Sequence, residues 1–145
     1  MKDRTDIWQR KPAEQDYIAA EKYLTLLFMP EIGKQLIKKL RAAPTLQFEV
    51  KDLLRASQTH LLDKDNPHVA ETLKKIRKGK KISPVLLIRG DGTAGVTLAI
   101  ADGYHRICAC WHWNEKCPVV CCLVDLPEAN SETKRRTRKG LKRTR

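Results

Sequence analysis

The sequence predicts an α+β fold in which a small mixed sheet with helices follows an N-terminal helical hairpin and precedes a disordered basic tail. Three observations predict it. Apolar residues recur at helical spacing across residues 13–43, 68–78 and 106–113. Between and after these lie short β-branched and apolar runs bounded by Gly and Pro, at 85–89, 96–101 and 117–124. From residue 128 to 145 the chain holds eight Lys or Arg against two Glu, with no apolar periodicity, so that stretch has too little apolar surface to fold alone.

In chain order, residues 1–45 form the hairpin, 46–127 the mixed α+β region and 128–145 the tail. In the hairpin, Tyr17, Ile18, Ala20, Leu24, Leu27 and Phe28 mark one apolar stripe. Pro30 starts a second helix, with Ile32, Leu36, Ile37 and Leu40 as its stripe. The stripes pack on the sheet or on a second subunit, which makes a homodimer through the N-terminal helices one expected assembly. Further on, Pro67 opens a helix over 68–78 with Val69, Leu73 and Ile76 inward; its end carries Lys74, Lys75, Arg77 and Lys78 and stops at Gly79. Pro84 precedes the strand 85–89, and Gly90-Asp91-Gly92-Thr93-Ala94-Gly95 makes a loose hairpin into 96–101. That hairpin is glycine-rich like a phosphate loop, but it lacks the G-K-[ST] ending and joins strand to strand, so it reads as a turn.

The chemistry concentrates at Asp102-Gly103-Tyr104-His105-Arg106, where a strand ends, the chain turns at Gly103 and a helix begins. The first amides of a helix have no partners within it, and the helix dipole places partial positive charge there, so the junction favours an anion. Arg106 adds a planar guanidinium able to hold two phosphate oxygens. Asp102 abuts the site; it either ligates Mg²⁺ or takes a proton as a catalytic base, or it accepts hydrogen bonds from the turn's own amides. His105 contacts phosphate or fixes the turn.

Gly79-Lys80-Lys81-Ile82-Ser83-Pro84-Val85-Leu86-Leu87 and Asp102-Gly103-Tyr104-His105-Arg106, the latter within a G-x-x-R-x-x-A pattern through Ala109, resemble the two boxes of the ParB N-terminal and sulfiredoxin-like superfamily. Residues 48–54 look like the strand that opens this domain in its relatives, so the resemblance covers about half of the chain. It implies a stand-alone ParB-like domain that binds a nucleoside triphosphate (ATP or CTP) with Mg²⁺, or another phosphate ligand, through Gly103, Tyr104, His105 and Arg106. Branches of the superfamily differ in chemistry: a CTP switch on DNA, phosphate transfer to a small hydroxyl compound, or ATP-driven repair of oxidised peroxiredoxin. Tyr104 stands where sulfiredoxins carry their reactive cysteine, which disfavours sulfinic acid reduction. His105 stands where ParB proteins usually carry a second arginine.

Composition narrows the classes further. The chain of 145 residues carries a formal net charge of +12, half of it from the tail. Lys134, Arg135, Arg136, Arg138, Lys139, Lys142, Arg143 and Arg145 are the expected nucleic acid contacts, through sequence-independent neutralisation of phosphates. No run approaches the roughly 18 to 20 apolar residues of a membrane span, and the amino end lacks the apolar core of a signal peptide, so a cytoplasmic protein with no membrane partner is expected. Cys108, Cys110, Cys117, Cys121 and Cys122 are odd in number and crowded into one helix and one strand, which reads as reduced core filling. Cys117 and Cys121 with His105 and His112 lack the C-x-x-C knuckle of a zinc site, so no protein metal site is expected. Two functions follow: a nucleotide- or phosphate-binding module associated with DNA, or a Mg²⁺-dependent phosphotransferase or NTPase acting at the 102–106 turn.

Overall fold

Proline without an amide hydrogen is tolerated at the first position of a helix, and two helices here use it. In the computed structural model, which describes residues 7–127, α1 spans Glu14–Leu27 and α2 spans Pro30–Ala42, with Pro30 at the start. Then come β1 (Thr45–Glu49), α3 (Val50–Ser57), α4 (Pro67–Arg77), β2 (Val85–Ile88), β3 (Ala99–Asp102), α5 (Tyr104–Trp113) and β4 (Pro118–Val124). Asn66 caps α4 by accepting from the His68 and Val69 amides, so asparagine and proline together define where that helix begins.

The four strands run in the order β1-β4-β2-β3. β4 pairs parallel with β2 and antiparallel with β1, while β3 is antiparallel to β2, which makes the sheet mixed. Side chains of a strand alternate between faces, and the core divides accordingly. Val85, Leu87 and Cys121 join Val50, Leu53, Ile76 and Ile107 in one cluster. Leu86, Ile88 and Cys122 join Tyr17, Ala20, Leu24, Leu36 and Leu40 in the other. The helical hairpin thus covers one face of the sheet and α3 to α5 lie on the side of the other. A strand buried on both faces has no polar alternation, hence the unbroken apolar run of β2. All five cysteines are buried in these clusters and in a third between α4 and α5, and none is in a disulfide.

Two expectations need correction. Residues 48–54 do not form an opening strand: β1 ends at Glu49 and Val50 begins α3. Val50 and Leu53 stand three apart and both are buried, which a helix permits on one face and a strand does not. The strand expected over 96–101 is β3, starting only at Ala99. Asp91 and Val96 form an isolated bridge, and the Leu98 amide donates to the Ala56 carbonyl, which draws this segment away from β2. Of the α1 stripe, Tyr17, Ala20 and Leu24 are buried against the rest of the fold, while Ile18 and Leu27 are 52% and 49% exposed. The glycine-rich hairpin is a turn as expected, with a short 3-10 helix at Gly92–Ala94 capped by the Asp91 side chain.

Candidate functional site

A chain passing directly from an edge strand into a helix must reverse within one residue, and Gly103 does so at φ +108°. L side chains rarely adopt that conformation. A Cβ there would lie 2.8 Å from Val85 Cβ and closer still to Val85 Cγ1, so the turn is pressed against β2. The Ile107 amide, donating to the Gly103 carbonyl, makes the first bond of the α5 ladder. The amides of Tyr104, His105 and Arg106 precede it and have no intrahelical acceptor.

Arg106, in the first turn of α5, is largely buried: its side chain is only 18% exposed. One terminal nitrogen, Nη2, donates to Asp102 Oδ2 at 2.9 Å and to the Pro84 carbonyl at 3.3 Å. The other, Nη1, stands 3.8 Å from Asp16 Oδ1. Its Nε is buried with no hydrogen-bond partner among the described residues. Asp102 therefore pairs with Arg106 one turn along. Burial pushes its carboxyl above the ordinary value; Arg106 opposes this and Asp16 adds to it. Asp16 itself is 6% exposed and also serves α1, its Oδ2 accepting from the Ala13 amide at 3.0 Å.

A polar cleft of about 300 Å³ opens at this turn, lined by Asp102, Gly103, His105 and Arg106 together with Asp16, His68, Thr72, Lys75, Lys81 and Ser83. Residues 68, 72 and 75 share one face of α4, and Lys81 and Ser83 precede β2. The His68 and His105 rings stand 4.7 Å apart, centre to centre. Burial, then His68 and then Arg106, pushes the His105 imidazole down, so at neutral pH it is an uncharged donor and acceptor. Glu71 lines the cleft as well, so Lys75, Lys81 and Arg106 face Asp16, Glu71 and Asp102; Lys75 and Lys81 have no carboxylate within ion-pairing distance among the described residues and keep their charges unpaired. Tyr104 faces another role than His105: its hydroxyl donates to the His60 carbonyl. His112 with the Leu62 carbonyl and Cys108 with the Leu62 amide fasten the same loop, so α5 holds residues 60–62 in place.

The structure thus brings Asp102, Gly103, His105 and Arg106 together, with Tyr104 at the margin. Sequence reasoning missed Asp16, His68, Lys75, Lys81 and Ser83. For His68 and Lys75 a signal exists in their seven-residue spacing on a helix; for Asp16 none does, because only folding carries α1 to α5. The expected nucleic acid contacts in the tail lie outside the described residues. Among the described residues no group of three or more His, Cys, Asp or Glu stands ready to hold a metal ion, and no helix is long and apolar enough to cross a membrane. Comparison with protein families, with curated proteins and with solved structures finds no match for this chain.

Proposed function

We propose that this chain is a ParB-like nucleotide- or phosphate-ligand-binding module of the cytoplasm, with the 102–106 turn as its anion seat and the basic tail as its attachment to nucleic acid. The observation that carries this is the convergence on one cleft of the α5 amide terminus, Arg106 with its unpartnered buried Nε, and the cations Lys75 and Lys81. A Cβ at position 103 would fill the space where the backbone comes closest to β2, so glycine is needed to form that seat. A nucleoside triphosphate with Mg²⁺ fits this donor set. The amides, Arg106, Lys75 and Lys81 would hold the phosphates. Mg²⁺ commonly binds through phosphate oxygens, water and one or two carboxylates, and needs no all-protein cage. The exposed Ile18, Leu26, Leu27 and Met29 of the hairpin support a homodimer through that surface.

A thermal-shift panel of the four NTPs, their diphosphates and tripolyphosphate, each with and without Mg²⁺, tests this reading. At least one polyphosphate raises the melting temperature, since a ligand present at about 100 times its Kd stabilises the fold by about 2.7 kcal/mol. A flat panel overturns the reading. One observation favours the catalytic alternative, in which Asp102 is a base for phosphate transfer: its carboxyl is pushed up by burial, toward the range a general base needs. Release of phosphate from the stabilising nucleotide, lost in Asp102→Asn, would establish that alternative.

Nucleic acid association has its own test. Deleting residues 131–145 flattens the slope of log K against log salt by about 4 to 5 on an unrelated duplex, about 0.9 for each of about five phosphates engaged. Polyphosphate binding is unaffected by the deletion. Equal affinities and slopes for the two proteins, read by fluorescence anisotropy, would leave the tail without a role in nucleic acid binding.

A further inference from the structure

We propose that Asp16 is a built-in competitor for Arg106, so that filling the anion seat is coupled to how the first turn of α1 is held. The proposal rests on the anion-seat reading of the 102–106 turn. Both terminal nitrogens of Arg106 already face carboxylates: Nη2 stands 2.9 Å from Asp102 and Nη1 stands 3.8 Å from Asp16. Asp102 belongs to the turn itself, but Asp16 comes from another layer of the fold. It sits in the first turn of α1, is 6% exposed, and spends its second oxygen on the Ala13 amide.

An anion arriving at the α5 terminus therefore meets a guanidinium that is already shared. Drawing Arg106 toward the ligand removes the counter-charge from a buried carboxylate, and an uncompensated buried charge is costly. That cost appears twice, as weakened ligand affinity and as a loosened first turn of α1, because coupling between two equilibria is reciprocal. Asp102 senses the same neighbour, since Asp16 raises its carboxyl further once burial has done so. The ligand class follows. A single phosphate has to compete with two carboxylates for one arginine, whereas a polyphosphate can also engage Lys75 and Lys81, two unpaired cations against the one further carboxylate, Glu71, that lines the same cleft.

The test uses the full chain and inorganic tripolyphosphate. Asp16→Asn keeps an oxygen for the Ala13 amide and removes the charge; its affinity for tripolyphosphate by titration calorimetry rises on the order of tenfold, within the usual range for coupled sites. Equal or weaker binding by the folded variant overturns the proposal. Should Asp16→Asn fail to fold, hydrogen exchange of the wild-type protein decides: exchange across residues 14–17 rises when tripolyphosphate binds, and unchanged or slower exchange overturns the proposal. Failure of tripolyphosphate to bind the wild type at all removes the anion seat and this proposal with it, whereas binding without an Asp16→Asn effect removes only the role of Asp16.

Discussion

Gly103→Ala destabilises the fold by about 2 to 5 kcal/mol, the sum of a strained left-handed backbone and an overpacked contact. Neither term relaxes easily. The φ of +108° is imposed by the direct passage from β3 into α5, and the new methyl group would meet the Val85 side chain, which is fully buried in the core beneath the sheet. The same methyl would stand 3.0 Å from Arg106 Nη2, so the guanidinium that completes the anion seat is pushed aside as well. Urea denaturation, with m held as a check that the transition remains two-state, measures the stability loss. A loss under about 0.5 kcal/mol, the scatter of ordinary surface substitutions, would mean that the turn is not built as described.

Arg106→Ala costs about 2 to 4 kcal/mol and eliminates polyphosphate binding, an outcome different from that of an exposed residue. Removing one partner of a largely buried ion pair leaves the other uncompensated, and here Asp102 and Asp16 both lose a counter-charge. The pH dependence identifies the cause. Asp102 is held above its ordinary value of 3.8, so its protonation favours the fold; that contribution is complete below 3.8 and is lost as pH rises through the folded-state value. Without Arg106, which opposes the shift, the folded-state value climbs higher and the window widens upward. The deficit of the variant relative to wild type is therefore greatest at neutral pH and shrinks on acidification toward pH 4. Denaturation midpoints measured between pH 4 and 8 check this, and a deficit constant with pH would assign the loss to packing of the side-chain stem.

Much of this molecule was legible in one dimension. The hairpin helices, α4, β2, β4 and the Gly103 turn follow from local signals: proline at helix starts, apolar spacing, and a glycine where the backbone needs positive φ. Helix α3 was legible but misread. Val50, Leu53 and Leu54 stand at i, i+3 and i+4, the spacing of one helix face, yet the segment is short and follows an apolar strand directly; the burial of Val50 and Leu53 in the core fits the helix and not the strand.

For the candidate site the division is similar. Sequence alone determined that Gly103 ends a strand and opens a helix, and that Arg106 lies in its first turn, because those are properties of neighbouring residues and of backbone sterics. Tertiary structure alone decided what surrounds Arg106. The hairpin folding over the sheet carries Asp16 across 90 positions of chain to within 3.8 Å of the guanidinium, and the packing of α4 against α5 places His68 beside His105. Desolvation and Coulomb energy depend on distance in space, not along the chain, so the charge state and burial of the site are set only once those layers close around it.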